Sequence, residues 1–200
     1  TETEAEETRD AAHARLMATA KEVLEAEAPW PAARLIWLAK LDRVAEAFLS
    51  DEAERRTRGQ PEALEVQGKL RLGRVDFALT GTADRIDRTG AGAVLIYDYK
   101  TGRPPSAKQQ ELYDKQLLLE AVMAEAGAFD GLGPRPVEEV AYIGLGSKPE
   151  FQRIAITETL IEKVREEFEA LILAYQDRRQ GYVARRIVET QRFEGDYDHL

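Results

Sequence analysis

Cysteine is absent from these 200 residues. That removes disulfides, thiolate zinc sites and cysteine-held iron–sulfur clusters from the chemistry available here, and it suits a cytoplasmic protein. Long apolar runs are also missing; none could span a bilayer, which leaves no membrane-embedded reading. A secretory leader is not in view either, because Thr1 to Asp10 is acidic and polar. A first residue of Thr rather than Met reads as a processed or excised piece. Positive charge is in deficit. A formal net charge of −9 argues against gripping DNA or RNA through the overall field, although partners or other domains could supply a basic channel. No Gly-x-x-x-x-Gly-Lys-Ser/Thr loop occurs, so any ATP-driven motor lies elsewhere.

What is present is enough for one or two domains with a sizeable core, at 44% hydrophobic residues. Ala12, Leu16, Ala20, Val23 and Leu24 recur at helical spacing between about Glu6 and Glu27. Pro29 and Pro31 break that helix, and Pro31 suits the first turn of the next. The second helix carries Leu35, Leu38, Leu41, Ala45 and Phe48, fades in the charged run Asp51 to Arg58, and stops at Gly59 and Pro61. Trp30 and Trp37 read as helix-packing residues, and His13 as a surface or packing residue.

The period then changes to two. Leu64, Val66, Leu70 and Leu72 alternate as in a strand with one wet face, and Val75, Phe77 and Leu79 continue as a second strand. Ala93 to Tyr97 is an unbroken apolar run, as in a strand covered on both faces. A helix is predicted from about Ala107 to Ala126, then strands at Val140 to Leu145 and Phe151 to Ile156. A last amphipathic helix runs from Glu158 to about Arg179, capped by Gly181. The order predicts an α/β or α+β fold. It divides into a helical arm over 1–60, a core with a mixed central sheet over 61–181, and an irregular tail over 182–200.

The chemistry concentrates between Gly81 and Gly102. A three-residue loop, Gly90-Ala91-Gly92, would join two strands, with Gly92 left-handed. Symmetric pairing about Ala91 sets Asp84 across from Asp98. Opposed carboxylates destabilise a sheet and push one of them toward protonation unless a divalent cation lies between them. Lys100 leaves the same face as Asp98, and Tyr99, pointing the other way, still offers its backbone carbonyl. Two aspartates, a carbonyl and waters suit Mg²⁺ or Mn²⁺ rather than a soft metal. By alternation Arg85 and Asp87 share the opposite face, where they read as structural residues or else as DNA contacts. Arg85, Arg88, Arg103 and Lys108 are the candidate DNA contacts in and just after this stretch; Glu65 reads as a solvated strand end. On spacing alone the pattern fits a solvated hairpin as well as a metal site.

The residues go further than the spacing. Gly81-Thr-Ala-Asp84-Arg-Ile-Asp, then Ile96-Tyr-Asp98-Tyr-Lys100-Thr-Gly, then a helix carrying Gln116, resembles the RecB/AddB-type branch of the PD-(D/E)xK nuclease superfamily. Gln116-Leu-Leu-Leu-Glu120 and Gly195-Asp-Tyr-Asp-His199 also resemble AddB-type subunits of bacterial helicase–nucleases. The resemblance implies a restriction-endonuclease-like fold and Mg²⁺- or Mn²⁺-dependent exonuclease action on DNA, single-stranded and fed by a helicase partner, in double-strand break repair. It implies Asp84 and Asp98 as metal-binding acids, Tyr99 as a carbonyl ligand, Lys100 as catalytic lysine and Gln116 beside them. It departs at Glu120, where relatives often carry tyrosine. It departs again in lacking a Gly-rich helix start with a His or Glu that completes the metal shell, and in lacking the cysteines of cluster-bearing relatives. The missing upstream ligand, which an excised piece could have left before Thr1, and the acidic charge motivate an alternative: a non-catalytic nuclease-fold scaffold for assembly or DNA guidance.

Overall fold

The structure is a computed structural model and describes residues 8–146 and 150–182. The Gly195 to His199 motif lies outside the described residues. Thr8 caps α1 (Arg9–Glu27), its hydroxyl accepting from the Ala11 N–H, and Pro31 opens α2 (Pro31–Arg58). Five strands follow in spatial order β1-β2-β3-β4-β5: β1 (Gly59–Leu72), β2 (Phe77–Thr89), β3 (Val94–Lys100), β4 (Val137–Gly144) and β5 (Glu150–Ala155). Neighbours are antiparallel except β3 and β4, which run parallel. Their crossover carries α3 (Ala107–Leu112) and α4 (Gln116–Glu125), and α5 (Glu158–Gln176) closes the fold. This is an α/β fold consistent with the restriction-endonuclease-like type, its mixed sheet flanked by helices. Among the described residues no helix is long and apolar enough to cross a membrane.

Alternation along the strands gives the sheet two different faces. The front face, Val94, Ile96, Val140 and Tyr142, packs under Leu117, Ala121 and Met123 of α4 and Ile161 and Val164 of α5. The back face, Leu95, Tyr97, Ala141 and Ile143, is covered with Tyr99, Leu145 and Phe151. The C-terminal half of α2 reaches this back face. Arg55, 1% exposed, lays its guanidinium 5.8 Å from the Tyr97 ring and 5.8 Å from Phe151. The charged run expected to fade instead stays helical to Arg58, because Glu52 pairs with Arg55 and Arg56 one turn on.

Three further expectations are corrected. The helix predicted over Ala107 to Ala126 breaks between Leu112 and Gln116, where the Asp114 N–H returns to Gln109 O at 2.8 Å and the Asp114 carboxylate accepts from the Tyr142 hydroxyl at 2.5 Å. The last helix stops at Gln176, not at Gly181. The Asp177 carboxylate takes the Arg179 N–H at 2.9 Å, a local turn that competes with further helix. Trp30 and Trp37 are 65% and 45% exposed rather than packed. His13 pairs with Asp42 at 2.9 Å, tying α1 to α2. Glu65 is exposed, as expected of a solvated strand residue, and its φ is 48°.

Arg85 and Asp87 do share the back face, and there they are buried. The Arg85 guanidinium donates to both Asp87 oxygens at 2.6 and 2.7 Å and to Glu52 at 2.7 Å. Burial pulls the Arg85 pKa down, but Asp87 and Glu52 outweigh it and hold the group firmly cationic. Arg85 is therefore a structural ion-pair partner, not a DNA contact. Asp87 is wholly buried, so removing its partner strands a charge. Arg85→Met should cost about 3–5 kcal/mol of stability, measured by urea unfolding; a loss within about 0.5 kcal/mol, typical of a surface substitution, would contradict the pairing.

Candidate active site

The turn that sets the site forms as the sequence predicts. Thr89 N–H donates to Ala93 O at 2.9 Å, enclosing Gly90-Ala91-Gly92, and Gly92 takes φ +84°. From there the ladder runs Arg88↔Val94, Asp87↔Leu95, Ile86↔Ile96 and Arg85↔Tyr97, the register symmetric about Ala91. Asp84 and Asp98 fall at the next step, and there the ladder ends. Hydrogen-bonded pairs alternate with non-bonded ones, so counting by twos from Thr89 and Ala93 makes Ala83 O the regular acceptor for the Tyr99 N–H. Instead Tyr99 N–H donates to Asp84 Oδ2 at 2.9 Å. The side chain has replaced the neighbouring strand. A residue's N–H and C=O leave a strand by the same edge, so the Tyr99 carbonyl also faces the gap beside Asp84.

The disturbance extends into β1. Ala63 and Val66 both pack against the front core, as do Ala83 and Ile86. Positions three apart cannot share a face of a regular strand, so the alternation switches on both strands where Glu65 and Asp84 lie, and Glu65 takes up the positive φ.

Asp98 is 3% exposed and densely contacted. Lys100 Nζ lies 3.0 Å from Oδ1, to which it hydrogen-bonds, and 2.8 Å from Oδ2 in an ionic contact without hydrogen-bond geometry. The Gln116 amide donates to Asp98 Oδ1 at 2.7 Å and to Glu120 Oε1 at 3.1 Å, while Gln116 Oε1 accepts from Lys100 at 3.1 Å. The helix break at Tyr113 to Lys115 is what makes this possible, because it starts α4 at Gln116. Lys100 also sits 5.4 Å from the Tyr142 ring centroid. Burial raises the Asp98 pKa, and Asp84 adds to the rise against Lys100 and Gln116.

Glu120, the position that departs from the expected tyrosine, joins the cluster as a third carboxylate. It lies one helical turn beyond Gln116 and is 4% exposed. Burial pushes its pKa up to about 7, with Asp98 and Asp84 contributing in the same sense against the Gln116 hydrogen bond and Lys100. With all groups ionised, Asp84, Asp98 and Glu120 against Lys100 leave a formal surplus of two negative charges.

The donor set fits a hard divalent cation. All candidate ligands are oxygens, and two buried carboxylate oxygens, Asp98 Oδ2 and Glu120 Oε2, lack hydrogen-bond partners. Among the described residues no three His, Cys, Asp or Glu side chains converge tightly enough to cage a metal. An ion would therefore rest on Asp84, Asp98, the Tyr99 carbonyl and water.

Of the other candidates, only Arg103 lines a groove with Lys100. Arg88 sits four residues from Asp84 toward the turn, roughly 13 Å along the strand, 3.8 Å from Glu62. Arg103 follows β3, 85% exposed and 3.6 Å from Glu150. Lys108 is exposed on α3. Sequence reasoning missed Tyr142, which holds both Asp114 and Lys100. It reaches them through parallel pairing of Asp98 with Tyr142, which leaves no local signal.

Glu120 yields a pH prediction. The unfolded glutamate titrates near 4.5 and the folded one near 7, so between them the folded state keeps a proton that the unfolded state has lost. The neutral form's contribution is full below the lower value and is lost as pH rises through the upper one. In metal-free protein Glu120→Gln should be nearly neutral at about pH 4 and stabilise by about 3 kcal/mol at about pH 8. Urea unfolding at both pH values checks this, and equal effects at the two would contradict it.

Comparison with known proteins agrees with the geometry. The family model for the PD-(D/E)XK nuclease superfamily matches residues 1–194. An uncharacterized protein of Rickettsia felis is 34% identical over 115 residues, 56% of this chain and 13% of that protein. A second, from Rickettsia conorii, is 36% identical over 96 residues, 46% of this chain and 12% of that protein. The aligned stretch thus spans about one eighth of those relatives' length. The crystal structure of SSO0001 matches at 18% identity with a TM-score of 0.36, over 80% of this chain and 70% of that one, too loose a likeness to bear on function. On the family match and the grouping of Asp84, Asp98, Lys100 and Gln116, the chain belongs to the PD-(D/E)XK nuclease superfamily.

Proposed function

We propose that this chain is a metal-dependent deoxyribonuclease domain, an exonuclease that hydrolyses phosphodiester bonds in single strands delivered by a helicase partner during double-strand break repair. Superfamily membership supports a nuclease-type activity. The AddB-like motif sequence supports the finer reading. One observation carries the chemistry: Asp84 is drawn to the Tyr99 backbone beside Asp98, with Lys100 and Gln116 on the same carboxylate.

The roles follow from position. Asp84, Asp98 and the Tyr99 carbonyl would hold Mg²⁺ or Mn²⁺. When bound, such an ion acidifies water and acts as a Lewis acid on a phosphoryl oxygen. Lys100, with its side chain 32% exposed, can donate to an attacking water or to charge growing on the phosphate. Gln116 fixes the Lys100 ammonium and Asp98 in one register, and Glu120 holds the Gln116 amide in the orientation that does so.

Purified protein with Mg²⁺ or Mn²⁺ should degrade end-labelled single-stranded DNA, and Asp98→Ala should abolish this. Lys100→Ala should lower kcat by about 10²–10⁴-fold with little change in KM. Undiminished cleavage by Asp98→Ala would contradict the assignment. A second reading, a non-catalytic scaffold, is favoured by the direct Lys100 contact with both Asp98 oxygens. Calorimetric titration separates the two. Mn²⁺ binding lost in Asp84→Asn is the nuclease outcome; no binding by the unaltered chain is the scaffold outcome.

A further inference from the structure

We infer that the groove beside Lys100 is a subsite for an unstacked nucleobase, with the ring of Tyr113 as its stacking platform. The inference rests on the nuclease reading above and names the form of substrate that this site takes.

The groove has a volume of about 790 Å³ and is walled by Lys100, Arg103, Pro104, Pro105, Gln109 and Tyr113. That is the size of a pocket for a small molecule or a nucleotide, not for a duplex. Its floor is tied to the candidate active site by Tyr142. The Tyr142 hydroxyl holds Asp114, the residue after Tyr113, while the Tyr142 ring lies under Lys100. Tyr113 itself ends α3, its N–H on Gln109 O at 2.9 Å, and stands three residues before Gln116, which holds Asp98. The backbone bearing the Tyr113 ring is therefore fixed relative to Lys100 and Asp98.

The ring is nevertheless 43% exposed. A large aromatic on a fixed backbone, open to solvent and lining a groove that starts at the candidate catalytic lysine, offers a π surface to whatever enters. The opposite wall is apolar and built in: Gly144 lets Pro104 lie against β4, since a Cβ there would come within 2.6 Å of Pro104 Cδ. Arg103, 3.6 Å from Glu150, and Gln109, whose Oε1 accepts from the Ser106 N–H at 2.8 Å, also line the groove, and the Gln152 amide there supplies a donor and an acceptor to a base edge. A base inside a duplex hides both faces in the stack, so only a single strand or a frayed end can present one here. Stacking is also indifferent to sequence, as degradation of arbitrary DNA demands.

The test compares the unaltered chain with Tyr113→Leu, which keeps an apolar side chain without a π face, and Tyr113→Trp, which restores one. With Mg²⁺ and single-stranded oligonucleotides, Tyr113→Leu should raise KM about tenfold at unchanged kcat, and Tyr113→Trp should return it to the starting value. An abasic nucleotide at one fixed distance from the cut should erase the difference between the Leu variant and the unaltered chain. A second readout does not depend on turnover: with Ca²⁺ in place of Mg²⁺, a 2-aminopurine at that position should be quenched by the unaltered chain and not by Tyr113→Leu. Equal KM and equal quenching, in a protein that does cut DNA, would remove the subsite and leave the nuclease reading standing. A chain that neither cuts nor binds single strands would remove both.

Discussion

One hydrogen bond organises this molecule's chemistry: the Tyr99 N–H meets the Asp84 carboxylate where the regular ladder would have offered the Ala83 carbonyl. Because the β2–β3 ladder stops one step short of Asp84, a carboxylate, a backbone carbonyl and the buried Asp98 face a common gap. Had pairing continued, the Tyr99 carbonyl would be consumed by β2. The kink is shared with β1, where Glu65 takes the unfavourable φ. Strain of this kind persists only where the surrounding structure over-determines it, and here a long antiparallel ribbon on both sides does so.

The two faces of the same hairpin handle buried charge in opposite ways. On the back, the buried carboxylates Asp87 and Glu52 are met by the guanidinium groups of Arg85, Arg55 and Arg56. On the front, three carboxylates face one ammonium, and two of their buried oxygens lack hydrogen bonds. The back face thus matches each buried carboxylate with at least one guanidinium, while the front face has fewer cations than carboxylates. Removing the ion-pair face would cost stability; the acidic face costs stability as it stands, in the raised Asp98 and Glu120 pKa values. The oxygen donors on the front face would fit a hard dication.

Much of this was legible in the sequence, and the reason is locality. The Gly90-Ala91-Gly92 turn and the period of two fix the register as far as Arg85↔Tyr97 and put Arg85 with Asp87; at Asp84 the period breaks. Three features were not legible, each decided by contacts far along the chain. The break before Gln116 depends on Tyr142, 28 residues from Asp114. The path of α2 depends on Glu52 finding Arg85, 33 residues away. For Arg85 the alternation with Asp87 points to a structural role, but the second partner, Glu52, is visible only in the tertiary structure. Glu120 is intermediate: its spacing from Gln116 puts it on the right face, but its burial is set by tertiary packing.

The central claim is that the gap between Asp84, Asp98 and the Tyr99 carbonyl receives a divalent cation. Crystals grown with Mn²⁺ and measured at its absorption edge test this most directly. The account predicts an anomalous peak within coordination distance of both carboxylates and the Tyr99 oxygen. A map with no peak there, and with the Lys100 ammonium still resting on both oxygens of Asp98, would contradict it.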